Sequence, residues 1–288
     1  MIATRSTTAD AAVPDTGEAL PNWWADPAFG PCLAAAGMDD VEGLLKAGTG
    51  DGDVRRAVGD RVTRRLELPG PDGRSRGFFL KTHVDPPGTT PGGRMEAEAV
   101  LALNRAGVPT MRAAAFGEIT GPDGSVRSGL LTEELAGYEQ FDLLVPERFA
   151  NAEPRDPALR ELTLDCARLA RRFHRFGFSH RDFYTCHFFV KEIGDAPGDR
   201  WDVRLIDLHR VERRPGGPAD APPWRWLVKD FSQLLYSIPP TLPCRERTAF
   251  FREYRGGRID AGGRRLLAAA RRKVAWMRWK LGPYRPGW

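Results

Sequence analysis

One amphipathic stripe in the second half of the chain limits the possible folds more than any other pattern in the sequence. Its apolar residues recur at spacings of 3, 4, 3, 4 and 3, the period of a helix face that packs on a core. They are Leu159, Leu162, Cys166, Leu169, Phe173 and Phe176. The pattern predicts a helix that begins near Asp156-Pro157 and ends at Gly177. The segment His180-Arg181-Asp182 follows at once, so a core helix would present this charged triplet.

The His-Arg-Asp triplet, followed by an aromatic strand-like run, is typical of the catalytic loop of protein-kinase-like enzymes. In that loop the Asp carboxylate accepts the proton of the attacking hydroxyl. Asp182 is therefore the first candidate for a catalytic residue. Because a triplet also arises by chance, the hypothesis depends on whether the other parts of a phosphoryl-transfer site occur in the expected order.

A lysine and a glutamate upstream are the next parts of such a site. Lys81 follows three apolar residues and is predicted to end a strand, from which its ammonium could reach nucleotide phosphates. Glu96 and Glu98 lie on the helix predicted over Arg94 to Ala106, and either could fix the lysine by an ion pair. Glu96 is preferred because apolar residues occupy the adjacent helix face. The alternative is that the lysine and both glutamates are simply solvated.

An aspartate and a histidine complete the set. Asp207 ends a second short apolar strand, a position that suits magnesium binding, although a turn aspartate is an equally good interpretation. His187 stands five residues after Asp182, where protein kinases carry an asparagine that binds a second magnesium. Imidazole is a poorer ligand than a carboxamide oxygen for such a hard ion. Each residue alone is a weak signal, but their common order favours phosphoryl transfer.

The remaining pattern predicts an α+β chain with a strand-rich first half and a mainly helical second half. Further segments are strands over 54–84, 113–118 and 126–135, and helices over 226–238 and 245–254. Residues 48–53 are rich in glycine but do not match Gly-x-Gly-x-x-Gly followed by Val, so a loose turn is at least as good an interpretation as a phosphate-covering loop.

Several of these segments together resemble the Kdo/WaaP lipopolysaccharide kinase family. The resemblance covers roughly residues 25–260, and its catalytic and metal segments are quite specific. The similar segments are the catalytic loop 180–188 with its histidine at 187, the metal segment 205–210, the helix and turn 95–110, the hinge 130–135 and the helix 226–237. The histidine is then a family trait that replaces the asparagine of other kinases.

The resemblance implies a bilobal protein-kinase-like fold. It divides the chain into an N-lobe with one long helix over 21–135 and a mainly helical C-lobe over 136–260. Independently of the resemblance, small and polar residues predict a disordered extension over 1–20, and a basic tail covers 261–288. The implied activity is an ATP-dependent transfer of the γ-phosphate to a sugar hydroxyl of the lipopolysaccharide inner core, either Kdo or heptose, or of a related glycolipid.

The resemblance also implies roles for the catalytic and metal residues. The catalytic loop is formed by His180, Arg181 and Asp182, with Asp182 as the base. Asp207 binds Mg²⁺, and His187 is its neighbour on the metal or the phosphate.

A second implied group holds the nucleotide. Lys81 binds the ATP phosphates and pairs with Glu96, while the hinge from Glu133 to Leu135 contacts adenine through its backbone. Asp230 anchors the catalytic loop from a helix, as a structural residue.

Charge and composition bear on partners and location. The net charge of +5 favours anionic partners, and the absence of a long apolar run or a secretory signal predicts a cytoplasmic protein. The basic amphipathic tail 264–281 is either an interfacial helix on anionic lipid at the inner face of the inner membrane or a surface helix of the larger lobe. The four cysteines are scattered along the sequence and are predicted to lie in the core. The sequence contains no motif typical of nucleic-acid binding.

Two alternatives keep the fold and change the function. The first is a small-molecule phosphotransferase of the aminoglycoside or choline type, against which His187 argues because those families usually keep asparagine there. The second is a nucleotide-binding pseudokinase, which the presence of Lys81, Asp182 and Asp207 disfavours.

Overall fold

The computed structural model describes residues 19–50, 53–70, 73–151, 156–194, 200–213 and 222–286. Most of the expected N-terminal extension (1–18), the tip of the turn at 69–74 and the turn at 195–199 lie outside the described residues. The chain divides into two compact units. The first consists of residues 1–105 and 111–134, and the second of residues 106–110 and 135–288.

The first unit is built on an antiparallel sheet with three helices. Its strands are β1 (Trp23–Ala25), β2 (Asp53–Val58), β3 (Arg61–Pro69), β4 (Ser75–Asp85), β5 (Ala113–Thr120) and β6 (Val126–Glu133). Its helices are α1 (Gly30–Ala35), α2 (Val41–Ala47) and α3 (Gly92–Arg105). The strand order is β1-β5-β6-β4-β3-β2.

The position of Lys81 follows from the pleat of β4. Phe78 and Leu80 are fully buried in the core of this unit, so the alternation along the strand places Lys81 on the opposite face. The prediction that Lys81 ends its strand was wrong, because β4 continues to Asp85 and pairs on both sides through His83. Residues 82–84 lie within the range 54–84 that was predicted to form strands, so only the placement of Lys81 at the strand end was wrong.

The second unit is mainly helical with two small antiparallel sheets. Its helices are α4 (Phe141–Phe149), α5 (Pro157–Arg175), α6 (Trp224–Ser237), α7 (Cys244–Tyr254) and α8 (Ala261–Leu281). Its strands are β7 (Glu139–Gln140), β8 (Phe178–Ser179), β9 (Phe188–Glu192), β10 (Trp201–Leu205) and β11 (Glu212–Arg213). The sheets have the orders β10-β9-β7 and β11-β8.

The long helix α5 matches its prediction within two residues. The Asp156 carboxylate caps it by accepting the Leu159 N–H at 3.0 Å, and Pro157 fits the first turn, where no N–H partner is needed. The stripe is buried through Phe173, whereas Phe176 lies at the C-cap and is partly exposed. This buried helix carries the chain into β8 and the His-Arg-Asp segment.

The predicted α+β class is confirmed, and so are the helices α3, α6 and α7 and the strands β5 and β6. Sequence reasoning missed α1, α2 and α4, which are too short to repeat the helical period several times, and α4 contains Pro146. Three cysteines are buried as expected, but Cys244 is exposed at the start of α7. Within the described part of the chain, none of the helices combines the length and the apolar character needed to cross a bilayer.

Candidate active site

Asp230 of α6 fixes the backbone of the His-Arg-Asp loop. Its carboxylate is fully buried and accepts the backbone N–H of His180 at 2.9 Å and that of Arg181 at 2.8 Å. The ring nitrogen Nε2 of His174 lies 3.3 Å from the same carboxylate. A buried carboxylate is stable only when such donors replace its water shell. The helix and the loop therefore hold each other in place.

Arg181 adopts a strained backbone conformation in this loop. Its φ of 68° lies in the left-handed region, which costs a non-glycine residue about 1 kcal/mol or more. Its carbonyl accepts the side-chain amide of Gln233 at 2.9 Å. Its guanidinium pairs with Glu212 and lies 4.7 Å from the Trp226 ring centroid. These contacts, with the Asp230 bond, keep the next residue in one orientation.

The Asp182 carboxylate faces several donors of the second unit. The Nη1 atom of Arg210 lies 3.1 and 3.2 Å from its two oxygens. The Gln233 amide nitrogen is 3.3 Å from Oδ1, and His209 Nε2 is 4.0 Å from Oδ2. The carboxylate is thus partly exposed and surrounded by donors of the second unit.

His187 links Asp182 to Asp207 through a defined tautomer. Its Nδ1 lies 2.6 Å from the Asp182 carbonyl, which can only accept, so Nδ1 carries the proton. Its Nε2 lies 3.5 Å from Oδ2 of Asp207. Asp207 is itself in the left-handed region, with φ of 58°, and its Oδ1 lies 2.8 Å from His209 Nδ1. Two strained residues thus mark the same site.

His180 is buried and neutral. Burial lowers its pKa to about 4, with a further lowering from neighbouring His187. Its Nε2–H donates to the Ile206 carbonyl at 3.0 Å, and its ring stacks on His187 with centroids 5.4 Å apart. This geometry supports the positions of both segments, whereas a proton carrier near neutral pH would need a pKa closer to 7.

The buried state of His180 predicts a stability loss in mild acid. The unfolded chain binds a proton near pH 6.5, whereas the folded chain binds it near pH 4. This contribution is therefore complete above pH 6.5 and is lost as the pH falls toward 4. Urea unfolding should show it as about 2 kcal/mol between pH 7.5 and pH 5. His180→Asn should flatten that slope, and an unchanged slope would contradict the assignment.

In the first unit, Lys81 and Glu96 form the ion pair expected from the sequence. Lys81 Nζ lies 2.5 Å from Glu96 Oε1, and Glu96 is fully buried on α3. Glu98, the other candidate, is half exposed and lies 3.8 Å from Arg94. The pair is a geometric finding, and its role in holding a nucleotide stays a prediction.

The two hinge candidates lie where the units divide. The backbone N–H of Glu133, at the end of β6, donates to the Arg112 carbonyl at 2.9 Å. Leu135 begins the second unit, and its carbonyl accepts the Tyr138 N–H at 3.2 Å. The N–H of Glu133 is therefore already engaged.

Sequence reasoning missed four side chains around Asp182. They are His209, Arg210, Lys229 and Gln233. Two signals could have found them: His209 and Arg210 are the last two residues of the metal segment 205–210, and Gln233 lies one helical turn after Asp230 on the same face.

Comparison with known proteins gives consistent results. The lipopolysaccharide kinase (Kdo/WaaP) family profile matches residues 74–254. Lipopolysaccharide core heptose(I) kinase WaaP from Pseudomonas aeruginosa is 33% identical over 217 residues, which cover 70% of this chain and 76% of the relative. The protein of the same name from Escherichia coli K12 is 30% identical over 202 residues, covering 65% and 71%. A solved structure, WaaP in complex with acyl carrier protein, matches with a TM-score of 0.67 and 32% identity over 88% of this chain and 98% of that chain.

Proposed function

The chain belongs to the lipopolysaccharide kinase (Kdo/WaaP) family, and from this we propose that it uses ATP to phosphorylate a sugar of the lipopolysaccharide inner core. The relatives from Pseudomonas aeruginosa and Escherichia coli are named for a heptose acceptor, so we propose heptose as the sugar. The observation that carries the proposal is the link from the Asp182 carbonyl through His187 to Asp207.

The bilobal kinase-like arrangement is part of the proposal. In it the first unit, with its antiparallel sheet and the Lys81–Glu96 pair on β4 and α3, is the N-lobe. The helical second unit, which carries the His-Arg-Asp loop between α5 and β9, is the C-lobe. The similarity to the solved WaaP structure supports this assignment.

We propose that Asp182 accepts the proton of the sugar hydroxyl as that hydroxyl attacks the γ-phosphate. Lys81, held by Glu96, neutralises charge on the phosphates. We propose that the backbone of Leu135 contacts adenine, because the N–H of Glu133 already donates to the Arg112 carbonyl.

His180 and Arg181 act as positioning residues in this proposal. The neutral ring of His180 holds the Ile206 carbonyl and stacks on His187. The backbone of Arg181 is bound on both sides, its N–H by Asp230 and its carbonyl by Gln233. These two bonds fix its left-handed conformation and so orient the next residue, Asp182.

The side chains around Asp207 fit a magnesium ion that is also bound by phosphates. In the part of the chain that the structure describes, no group of three or more His, Cys, Asp or Glu side chains forms a metal site. Mg²⁺ at phosphoryl-transfer sites uses one or two carboxylates with phosphate oxygens and water, so a complete protein cage is not required. Asp207 would supply a carboxylate and His187 the Nε2 lone pair that the Asp182 bond directs toward it. The ion would neutralise charge on the transferred phosphoryl group.

Turnover with defined acceptors tests the function. With ATP and Mg²⁺, the protein should release ADP in the presence of an inner-core glycolipid that carries unphosphorylated heptose, and the product should contain a sugar phosphate by ³¹P NMR. A glycolipid without heptose is the matched control. Turnover only on aminoglycosides or choline, or ATP binding without turnover, would contradict the proposal.

The partners we propose are a protein and a membrane. The solved WaaP structure contains an acyl carrier protein and is covered almost completely by this chain, so we propose that this chain also binds one. For the membrane, we propose a peripheral contact with the cytoplasmic leaflet of the inner membrane, where the acceptor glycolipid would be reached.

The outward face of α8 supports the membrane contact. The helix contains seven lysines and arginines and no acidic residue. Its buried side chains include Leu266, Ala270, Val274 and Met277, of which Val274 and Met277 pack with Tyr236 of α6. Trp276 and Trp279 lie on the opposite side and are 50% and 82% exposed. Tryptophan among basic residues on a helix face is typical of a surface that lies on anionic lipid.

Vesicle sedimentation tests this face. The protein should bind vesicles that contain phosphatidylglycerol, an anionic lipid, and should not bind vesicles of phosphatidylcholine alone. Arg272→Gln should weaken binding roughly fivefold, since a basic residue near such a surface contributes about 1 kcal/mol. Trp279→Ser should weaken it further.

Trp224→Ser is the matched control, because Trp224 is also an exposed tryptophan but lies on α6. Equal binding to neutral vesicles, or tight binding to acyl carrier protein that depends on Arg272 with none to vesicles, would contradict the membrane contact.

A further inference from the structure

Arg210 occupies the oxygens that a catalytic base needs. Its Nη1 atom lies within 3.2 Å of both oxygens of Asp182. Oxygens that are engaged in this way have fewer free lone pairs for a hydrogen bond from an incoming hydroxyl. For Asp182 to accept a proton from a sugar hydroxyl, the Arg210 guanidinium has to leave these oxygens and bind another anion. Arg210 is exposed on its outer side and can turn toward one.

Lys229 adds a second positive charge at the same place. It lies on α6, one residue before Asp230, and its ammonium is 5.7 Å from the Trp226 ring centroid. Burial lowers its pKa, and the charge of Arg210 adds to this effect. In the described residues, no carboxylate lies within ion-pair distance of Lys229.

The balance of charge around these two cations is positive. The facing acidic groups are Asp182, which Arg210 already contacts, and Asp230, whose oxygens accept the loop N–H groups. Arg181 is also cationic but is paired with Glu212. Among the described residues, Arg210 therefore contacts one carboxylate and Lys229 contacts none within ion-pair distance, so the pair suits an oxyanion ligand.

We propose that Arg210 and Lys229 form a subsite for an oxyanion, a carboxylate or phosphate, whose binding draws Arg210 away from Asp182 and leaves that carboxylate able to accept a proton. The inference rests on the proposed role of Asp182. Two sources have this chemistry: an anionic group on the acceptor next to its reactive hydroxyl, and the transferred phosphoryl group of ATP. In either case the base becomes available only when its substrate is in place.

Binding of inorganic phosphate tests the subsite without any turnover. A ³¹P NMR titration should show Arg210→Gln and Lys229→Gln each weakening phosphate binding at least fivefold relative to the wild type. Arg258→Gln is the matched control, an exposed arginine before α8 in the same unit, and should bind as the wild type does. Equal affinity in all four proteins would overturn the subsite.

Kinetics distinguish the two sources. The acceptors are a methyl heptoside and the same heptoside linked to a carboxylate-bearing sugar. If the acceptor supplies the oxyanion, the wild type prefers the charged acceptor, and Arg210→Gln reduces that preference, measured as the ratio of the two kcat/KM values, at least tenfold. If ATP supplies it, Arg210→Gln raises the KM for ATP at least tenfold and leaves the preference unchanged.

The remaining outcomes separate this inference from the proposed function. If Arg210→Gln changes neither the acceptor preference nor the KM for ATP, the subsite is overturned, even when the variants differ in phosphate binding. Phosphate binding that depends on Arg210 and Lys229 in a protein without kinase turnover would support the anion subsite and contradict the kinase assignment. Arg210→Lys keeps the charge but not the bridging geometry, so it should recover part of the phosphate affinity.

Discussion

Asp182→Asn is expected to lower kcat by about three to four orders of magnitude, the upper range for the loss of a general base. The substitution keeps the shape of the side chain but removes the oxygen that takes the hydroxyl proton. ATP affinity should change little, because the proposed phosphate contact is made by Lys81. The loss should therefore appear in kcat rather than in the KM for ATP.

The fold should survive this substitution. The loop is held by Asp230 through the backbone N–H groups of His180 and Arg181, and none of these contacts uses the Asp182 side chain. Asp202→Asn is the matched control, a partly exposed aspartate on β10 with side-chain bonds to Tyr138 and Arg204. Its kcat should stay within about twofold of the wild type. Melting of Asp182→Asn, or retained turnover, would contradict the role of the base.

The part of the candidate site that could be predicted is the part that depends on local sequence patterns and on the order of residues along the chain. Lys81, Glu96, Asp182 and Asp207 were recognised because each lies beside a strand or helix with a clear apolar pattern. Their order along the chain could be compared with a known arrangement. The proton position on His187 was not accessible to that reasoning, because it depends on a contact with a backbone carbonyl.

The ion pair between Arg210 and Asp182 is a contact that sequence patterns do not predict. Arg210 follows β10 by five residues, and its side chain meets a loop that precedes it by 28 positions. No periodicity connects the two, since the contact is set by how β9 and β10 pair. The short helices α1 and α2 were missed for a related reason: their stability comes from packing on the sheet of the first unit, and their own sequence contributes little.

Asp230→Asn is expected to lower the free energy of unfolding by about 2–3 kcal/mol. The Asp230 oxygens accept two backbone N–H groups, from His180 and Arg181, and all of these groups are buried or partly buried. A hydrogen bond to a charged acceptor contributes about 1.5–3 kcal/mol. Asparagine can accept one of them with its oxygen, but its NH₂ group would then face the other N–H donor. One buried donor is left without a partner, so the cost exceeds that of a weakened bond.

The same substitution should also reduce kcat at least tenfold, because Arg181 holds its φ of 68° only while Asp230 binds its N–H. Relaxation of that strain would move Asp182, and a displacement of about 1 Å at a reacting group can cost a hundredfold in rate. Asp156→Asn is the matched control, since its carboxylate also accepts a backbone N–H but asparagine caps a helix equally well. Urea unfolding and steady-state kinetics measure both effects. If Asp230→Asn were as stable as Asp156→Asn, the loop would be held by contacts other than the α6 carboxylate, and a stability loss with unchanged kcat would show that the strain at Arg181 does not position Asp182.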